Sequence, residues 1–290
     1  MTSRFLFLLT CTALGLLASC AAPVEANPIA IDSSFDPIVG GYADKTGDPA
    51  VVAIDIAGMG LCTGTLIAPQ AVLTARHCVS YTVDEVDCPA WQRQVFGEIE
   101  PSSLAIVTGF DFETGRVVAW GASVLVPPVD YLCDHDIAVI LLDREVEGIT
   151  PLAVSSSGAF AGDRIRAVGY GKRGSGAGAG KKYARDGIDV LHADASEFWV
   201  GESTCQGDSG GPALDMATGA VLGVISRGGP GCKGPQTRNV YTQADAFSEL
   251  LEQVVPAGSP TAPSGRPCGA GKRCPNGFHC NAQRVCEQVN

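Results

Sequence analysis

From Val51 onward the chain is written in short apolar runs. VVAIDI (51–56), TLIAP (65–69), AVLTA (71–75), LAIVTGF (104–110), VVAWGASVLV (117–126), DIAVILLD (136–143), RIRAVGYG (164–171) and AVLGVIS (220–226) are rich in Val, Ile and Leu, with Gly, Pro and Asp between them. Their length and β-branched composition predict strands. No long helical periodicity interrupts them, so the pattern speaks for an all-β barrel or sandwich and against alternating strand–helix units. Helical spacing appears late, in ADAFSELLEQVV, where Phe247, Leu250, Leu251 and Val254 share one face and Pro256 ends the run.

The two ends of the chain have different patterns. Arg4 precedes an apolar run from Phe5 to Leu17, which has the length of a signal peptide and is too short to span a bilayer. It ends in Leu17-Ala18-Ser19-Cys20, which resembles the lipobox of bacterial lipoproteins. That implies a signal peptide over 1–19 and a lipid on Cys20; the alternative is an ordinary signal cut after Ala22 or Ala26. At the other end, PAGSPTAPSGRP (256–267) has linker composition. After it Cys268, Cys274, Cys280 and Cys286 recur with five residues between each, in a segment (268–290) with too few apolar residues for its own core. GSGAGAG (174–180) reads as a loop.

The chain has 290 residues, 46% of them apolar, with 36 glycines, 18 prolines and a formal net charge of −11. That is one large domain or two small ones, with enough apolar residues for a sizeable core. The acidic balance speaks against nucleic acid as a partner, because phosphate binding needs a basic footprint. Twelve cysteines fit an oxidising, extracytoplasmic compartment. Their spacings do not fit zinc sites. His279 beside Cys280 hints at metal, but disulfides are the expectation for the tail. Its four cysteines allow three pairings, and the sequence does not choose among them.

Three segments carry candidate chemistry. LTARHC ends in His77 and Cys78, CDHDIAVILLD contains Asp136, and TCQGDSGGPAL contains Ser209. A hydroxyl is a weak nucleophile at neutral pH; it needs a base, and the base needs a group that fixes its tautomer and balances its charge. Each residue alone has a bland reading: a core histidine, a turn-capping aspartate, a serine between turn glycines. His135, next to Asp136, should point to the opposite face of an extended segment. A fourth segment, IVGG at 38–41, raises the question of whether Ile38 is made to become a chain terminus.

Together IVGG, the T-A-x-H-C box, D-I-A and GDSGGP, in this order, resemble the chymotrypsin/trypsin family of serine endopeptidases, over about Ile38 to Val255. The resemblance implies two six-stranded antiparallel β-barrels with a C-terminal helix, followed here by the small Cys-rich module. It implies a catalytic His77, Asp136 and Ser209, and an oxyanion hole from the amides of Gly207 and Ser209. It implies a zymogen with a pro-segment over 20–37, in which cleavage frees the Ile38 amine to pair with Asp208. Pro37 departs from the Arg or Lys that trypsin-like activators cut after. The family's bridges imply Cys62–Cys78 and Cys205–Cys232, and Cys88–Cys133 is left over as a further pair.

By the same resemblance the specificity pocket has Ser203 at its floor, where trypsin-type enzymes have Asp. Ser226, Arg227 and Gly228 form its wall, with Arg227 where the family usually has Trp. Asn239 stands where a small glycine often lies. A neutral, modest-sized residue before the scissile bond is expected. Arg227 either attracts acidic substrates or turns aside. No cofactor or metal is implied. The expected partners are protein or peptide substrates of a monomeric enzyme, a membrane through the Cys20 lipid (in a bacterial outer membrane) or secretion, and a surface ligand for the C-terminal module. The alternatives are a catalytically inactive homologue, or a surface lipoprotein acting as a binding protein.

Overall fold

The computed structural model describes residues 38–57, 59–86, 88, 92–171 and 179–255, and the backbone of 278–280 and 286–288. The signal segment, Cys20, Pro37, most of the glycine-rich loop, the linker and the side chains of the Cys-rich tail lie outside the described residues.

Nine strands precede residue 143: β1 (Tyr42–Ala43), β2 (Val51–Ile56), β3 (Leu61–Ala68), β4 (Ala71–Thr74), β5 (Ser80–Thr82), β6 (Val95–Glu98), β7 (Leu104–Thr108), β8 (Arg116–Leu125) and β9 (Ala138–Leu142). Six more follow: β10 (Arg164–Gly169), β11 (Tyr183–Ala193), β12 (Glu197–Val200), β13 (Pro212–Asp215), β14 (Val221–Gly229) and β15 (Arg238–Gln243). The tail adds a hairpin of β16 (Phe278–Cys280) and β17 (Cys286–Gln288).

β2, β3, β4, β9, β8 and β7 close a six-stranded antiparallel barrel. The second ring runs β11-β10-β13-β14-β15-β12 and closes through the β11–β12 pairing, with β1 added on β11. This is the two-barrel architecture that the resemblance implies.

The apolar runs lack a clean in–out alternation because many strands are buried on both faces. Along β2, Val52 and Ile54 fill the first barrel, while Val51 and Ala53 join a cluster between the barrels with Leu73, Val139, Val168, Leu214 and Val224. Each such side chain contributes about 1.5–3 kcal/mol by leaving water. A third cluster, with Ile38, Ile165, Phe198, Leu222 and Tyr241, fills the second barrel.

The C-terminal helix is shorter than its periodicity suggests. A 3₁₀ turn at Asp245–Phe247 leads into one α-turn, α1 (Ser248–Leu251). Leu250 and Leu251 are buried against the inter-barrel cluster, and the ladder stops when the amides of Val254 and Val255 both turn to the Leu251 carbonyl.

Candidate active site

His77 lies in a 3₁₀ turn, Arg76–Cys78, just after β4. The turn is anchored on both flanks. The buried Arg76 guanidinium donates to the Pro127 and Val129 carbonyls and pairs with Glu98 at 3.3 Å. Cys78 is bridged to Cys62 of β3. The His77 amide donates to Asp136 Oδ1 at 2.9 Å, and Nδ1 lies 2.7 Å from Oδ2. Ser226 Oγ donates to the same Oδ2 at 2.7 Å. A carboxylate at Oδ2 requires the proton on Nδ1, which leaves Nε2 as the free base.

Asp136 is 2% exposed. Burial pushes its pKa up, but the charge and hydrogen bonds of His77 and the Ser226 hydroxyl outweigh it, so the net shift is down. For His77, burial works against the imidazolium, and the Asp136 charge and hydrogen bond more than offset that, so the net shift is up. Each group favours the charged form of the other.

Ser209 comes from the second barrel, in the loop between Cys205 and β13, and is docked on the first. The Thr63 amide donates to the Ser209 carbonyl at 2.8 Å, and Thr63 Oγ1 to the Gly207 carbonyl at 2.9 Å. Gly210, at φ +79°, sits so close that a Cβ would meet Thr74 Oγ1 at 2.1 Å. Only glycine fits both that conformation and that approach. The Cys78 sulfur lies 3.7 Å from the Ser209 carbonyl oxygen, and a His77 ring nitrogen lies within 4.8 Å of the sulfurs of Cys62 and Cys78. One disulfide thus lies beside both the His77 ring and the Ser209 backbone. Cys62, His77 and Cys78 have the donor types of a metal site, but both sulfurs are spent on the bridge.

Asp208 points the other way, into the second barrel, and is fully buried. Its Oδ2 accepts from the Cys205 amide at 2.9 Å and from the Ile38 nitrogen at 3.2 Å, and its Oδ1 from the Gly171 amide at 2.8 Å. Burial raises its pKa to about 6 despite these three donors. Ile38 is itself fully buried. Arg185 of β11 donates to the Val39 carbonyl at 2.7 Å and to the Glu202 carbonyl at 2.8 Å, joining the Ile38 segment to the one that leads into Ser203.

Ser203 is fully buried. Asn239 Oδ1 accepts from the amides of Ser203 and Thr204 at 2.9 and 3.1 Å and from Ser203 Oγ at 3.1 Å. Gly228 pairs with Asn239 across β14 and β15, and a Cβ on Gly228 would meet Asn239 Nδ2 at 2.3 Å. Asn239 thus takes up space beside Gly228 with a neutral, polar group. Arg227 is not free. It pairs with both oxygens of Glu197, at 2.5 and 2.7 Å. Cys205–Cys232 and Cys88–Cys133 are both bridged. His135 faces away, with Nδ1 donating to the Cys133 carbonyl and its ring edge-on to Tyr131 and Phe247.

Sequence reasoning passed over Glu197, Arg185 and Thr63. No motif marks them, and their partners lie 30, 146 and 144 residues away in sequence.

The trypsin family model matches residues 38–251. The chain belongs to the trypsin family. Its relatives are distant. A protein C activator of Agkistrodon contortrix contortrix is 25% identical over 246 residues, covering 75% of this chain and 96% of the relative. A trypsin of Saccharopolyspora erythraea is 28% identical over 246 residues, covering 77% of this chain and all of the relative. An inactive snake venom serine proteinase of Crotalus adamanteus is 27% identical over 252 residues, covering 77% and 87%.

Proposed function

We propose that this trypsin-family chain is a serine endopeptidase. In this reading His77 takes the proton of Ser209 as it attacks a peptide carbonyl, and Asp136 holds the imidazole and balances its charge. An acyl-enzyme then forms and is hydrolysed. The amides of Gly207 and Ser209 stabilise the tetrahedral oxyanion. The observation that carries the reading is the buried Asp136 carboxylate bound to His77 Nδ1 at 2.7 Å, beside the disulfide that also touches the Ser209 loop. The test is labelling with a serine-directed phosphonate. Wild type cut before Ile38 should label, and Ser209→Ala cut in the same way should not, with hydrolysis lower by about a million-fold. Full activity in Ser209→Ala would end the reading.

The neutral floor made by Ser203 and Asn239 supports cleavage after neutral, modest-sized residues. The Glu197 partner cancels the charge of Arg227, which weakens the case for acidic substrates. A peptide-library profile dominated by Arg or Lys would overturn this assignment. The burial of Ile38 against Asp208 supports activation by cleavage after Pro37, by a protease that is not trypsin-like. With a lipid on Cys20, that cut would release the enzyme from its anchor. Terminal sequencing of fractionated active enzyme tests this, and active protein starting at a lipidated Cys20 would refute release. The second reading is a catalytically inactive binding protein, favoured by the inactive relative from Crotalus adamanteus. Wild type that stays unlabelled after cutting before Ile38 would decide for it.

A further inference from the structure

We propose that Glu197 is a positioning residue for the Asp136 carboxylate, tying the first-barrel loop that carries Asp136 to the second-barrel strand that carries Ser226. The proposal rests on the protease reading above.

Glu197 opens β12, and its side chain is 7% exposed. Its own amide is fixed by Asp194 Oδ1 at 2.8 Å. Its carboxylate then reaches in two directions. Oε1 accepts from the Asp134 amide at 3.0 Å. Both oxygens accept from Arg227, which directly follows Ser226 on β14. The Arg227 guanidinium also lies 3.5 Å from Ser226 Oγ, the hydroxyl that donates to Asp136. One buried carboxylate therefore supports the loop two residues before Asp136 and, through Arg227, the side-chain partner of Asp136.

The loop needs that support. Asp134 sits at φ +65°, a left-handed conformation that aspartate tolerates better than most residues but that glycine favours, so contacts that hold it matter. Besides Glu197, Ser196 Oγ donates to Asp134 Oδ1 at 2.8 Å. From the segment that leads into β6, Gln94 holds the Leu132 amide at 2.8 Å and the Cys88–Cys133 bridge holds the next residue. The second-barrel contacts to Asp134 come from Ser196 and Glu197, two adjacent residues. Asp136 must orient His77 between the two barrels, so a tie across them sets the geometry on which proton transfer depends. Glu197 touches neither substrate nor the reacting atoms, so its effect on the reaction is indirect.

The test compares kcat and KM of mature wild type, Glu197→Gln and Glu197→Ala, with active molecules counted by phosphonate titration. Glutamine keeps an acceptor for the Asp134 amide but loses the charge that matches Arg227; alanine loses both. The expected result per titrated site is a fall in kcat of about tenfold for Gln and about 100-fold for Ala, with KM within about twofold. Adding Arg227→Gln to Glu197→Gln should lower kcat little beyond Glu197→Gln alone, since the two side chains form one tie and their effects should not add. Unchanged kcat per titrated site in the Gln variant, even with fewer active molecules, would overturn the proposal and reduce Glu197 to a fold-stabilising role. If alanine prevents folding, the glutamine variants decide. The His77 Nδ1 proton resonance gives a readout independent of turnover. It should shift in Glu197→Gln, and an identical resonance overturns the tie. Failure of wild type to label or turn over would instead sink the protease reading.

Discussion

Two aspartates, Asp136 and Asp208, are buried to nearly the same degree, at 2% and 0% exposure, yet their pKa values move in opposite directions. Burial alone pushes both up. Asp136 faces a group that can become a cation, the His77 imidazole, and a hydroxyl donor, and its carboxylate is held ionised. Asp208 faces three backbone N–H groups and no charge, and these donors do not offset the loss of water. At Asp208 the three dipoles orient the carboxylate without bringing its pKa back to the ordinary range. Asp136 has one in the folded chain as it stands. Asp208 would gain one only when the bond before Ile38 is cut and the nitrogen becomes an ammonium. Under the activation proposed above, the Ile38–Asp208 contact is already made in the uncut chain and only the charge is missing.

The largest effect is expected where the countercharge already exists. Asp136→Asn keeps the shape but lets His77 take the wrong tautomer, and by the family's own precedent kcat should fall about 10⁴-fold. Burst kinetics on a peptide ester would measure it. A loss below about tenfold would mean that the Asp136 charge is not what orients the imidazole, and the contrast with Asp208 would collapse.

The next effect reads the incomplete site. In the uncut chain Asp208 binds its proton more tightly folded, at about 6, than at its ordinary value of 3.8. Below the lower value both states hold the proton, and this group costs the fold nothing. Between the two values the unfolded chain has released this proton and the folded chain still holds it, so stability should fall there, by about 3 kcal/mol in all once pH passes the upper value. Asp208→Asn cannot ionise and serves as the reference. In urea unfolding of uncut Ser209→Ala, the stability difference from the Asp208→Asn double variant should change by that amount between about pH 4 and pH 7. After cutting before Ile38 the ammonium should remove most of the change. A difference that stays flat in the uncut form would show that the three amides suffice after all.

The two sites were unequally legible in the sequence. His77, Asp136, Asp208 and Ser209 sit in short contiguous motifs that mark them, although most of their partners are distant in sequence. Several of the strands that could be read are buried on both faces, such as VVAIDI, although β8, read from VVAWGASVLV, is largely exposed. β11 and β12 were not picked out. Along YARDGIDVLHA buried and exposed positions alternate irregularly around a glycine at φ +72°, and the strand bulges where it turns from β10 to β12. Glu197 was hidden for that reason: it lies in one of these strands and acts on Asp134 and Arg227, neither of them near it in sequence. The length of the C-terminal helix was overread, because Phe247 and Val254 keep helical spacing on either side of a single α-turn.

The smallest effect concerns His77 itself and returns to the comparison from the side of the base. The imidazole must be neutral to accept the serine proton, so kcat/KM should fall as pH drops through its pKa. Asp136 holds that pKa above the ordinary value of 6.5, against the pull of burial. The acid limb of the profile should therefore have its midpoint above 6.5, and full activity should be reached only on the alkaline side of it. In Asp136→Asn the raising charge is gone while burial stays, so the midpoint of the residual activity should move below the wild-type value. The measurement is kcat/KM across about pH 5 to pH 9 for both proteins at one ionic strength. An acid limb that does not move would mean that some other charge sets the His77 pKa. Arg227 is not that charge, because a cation would lower the pKa. The pairing of Asp136 with His77 would then be geometric only, like that of Asp208 with its three amides.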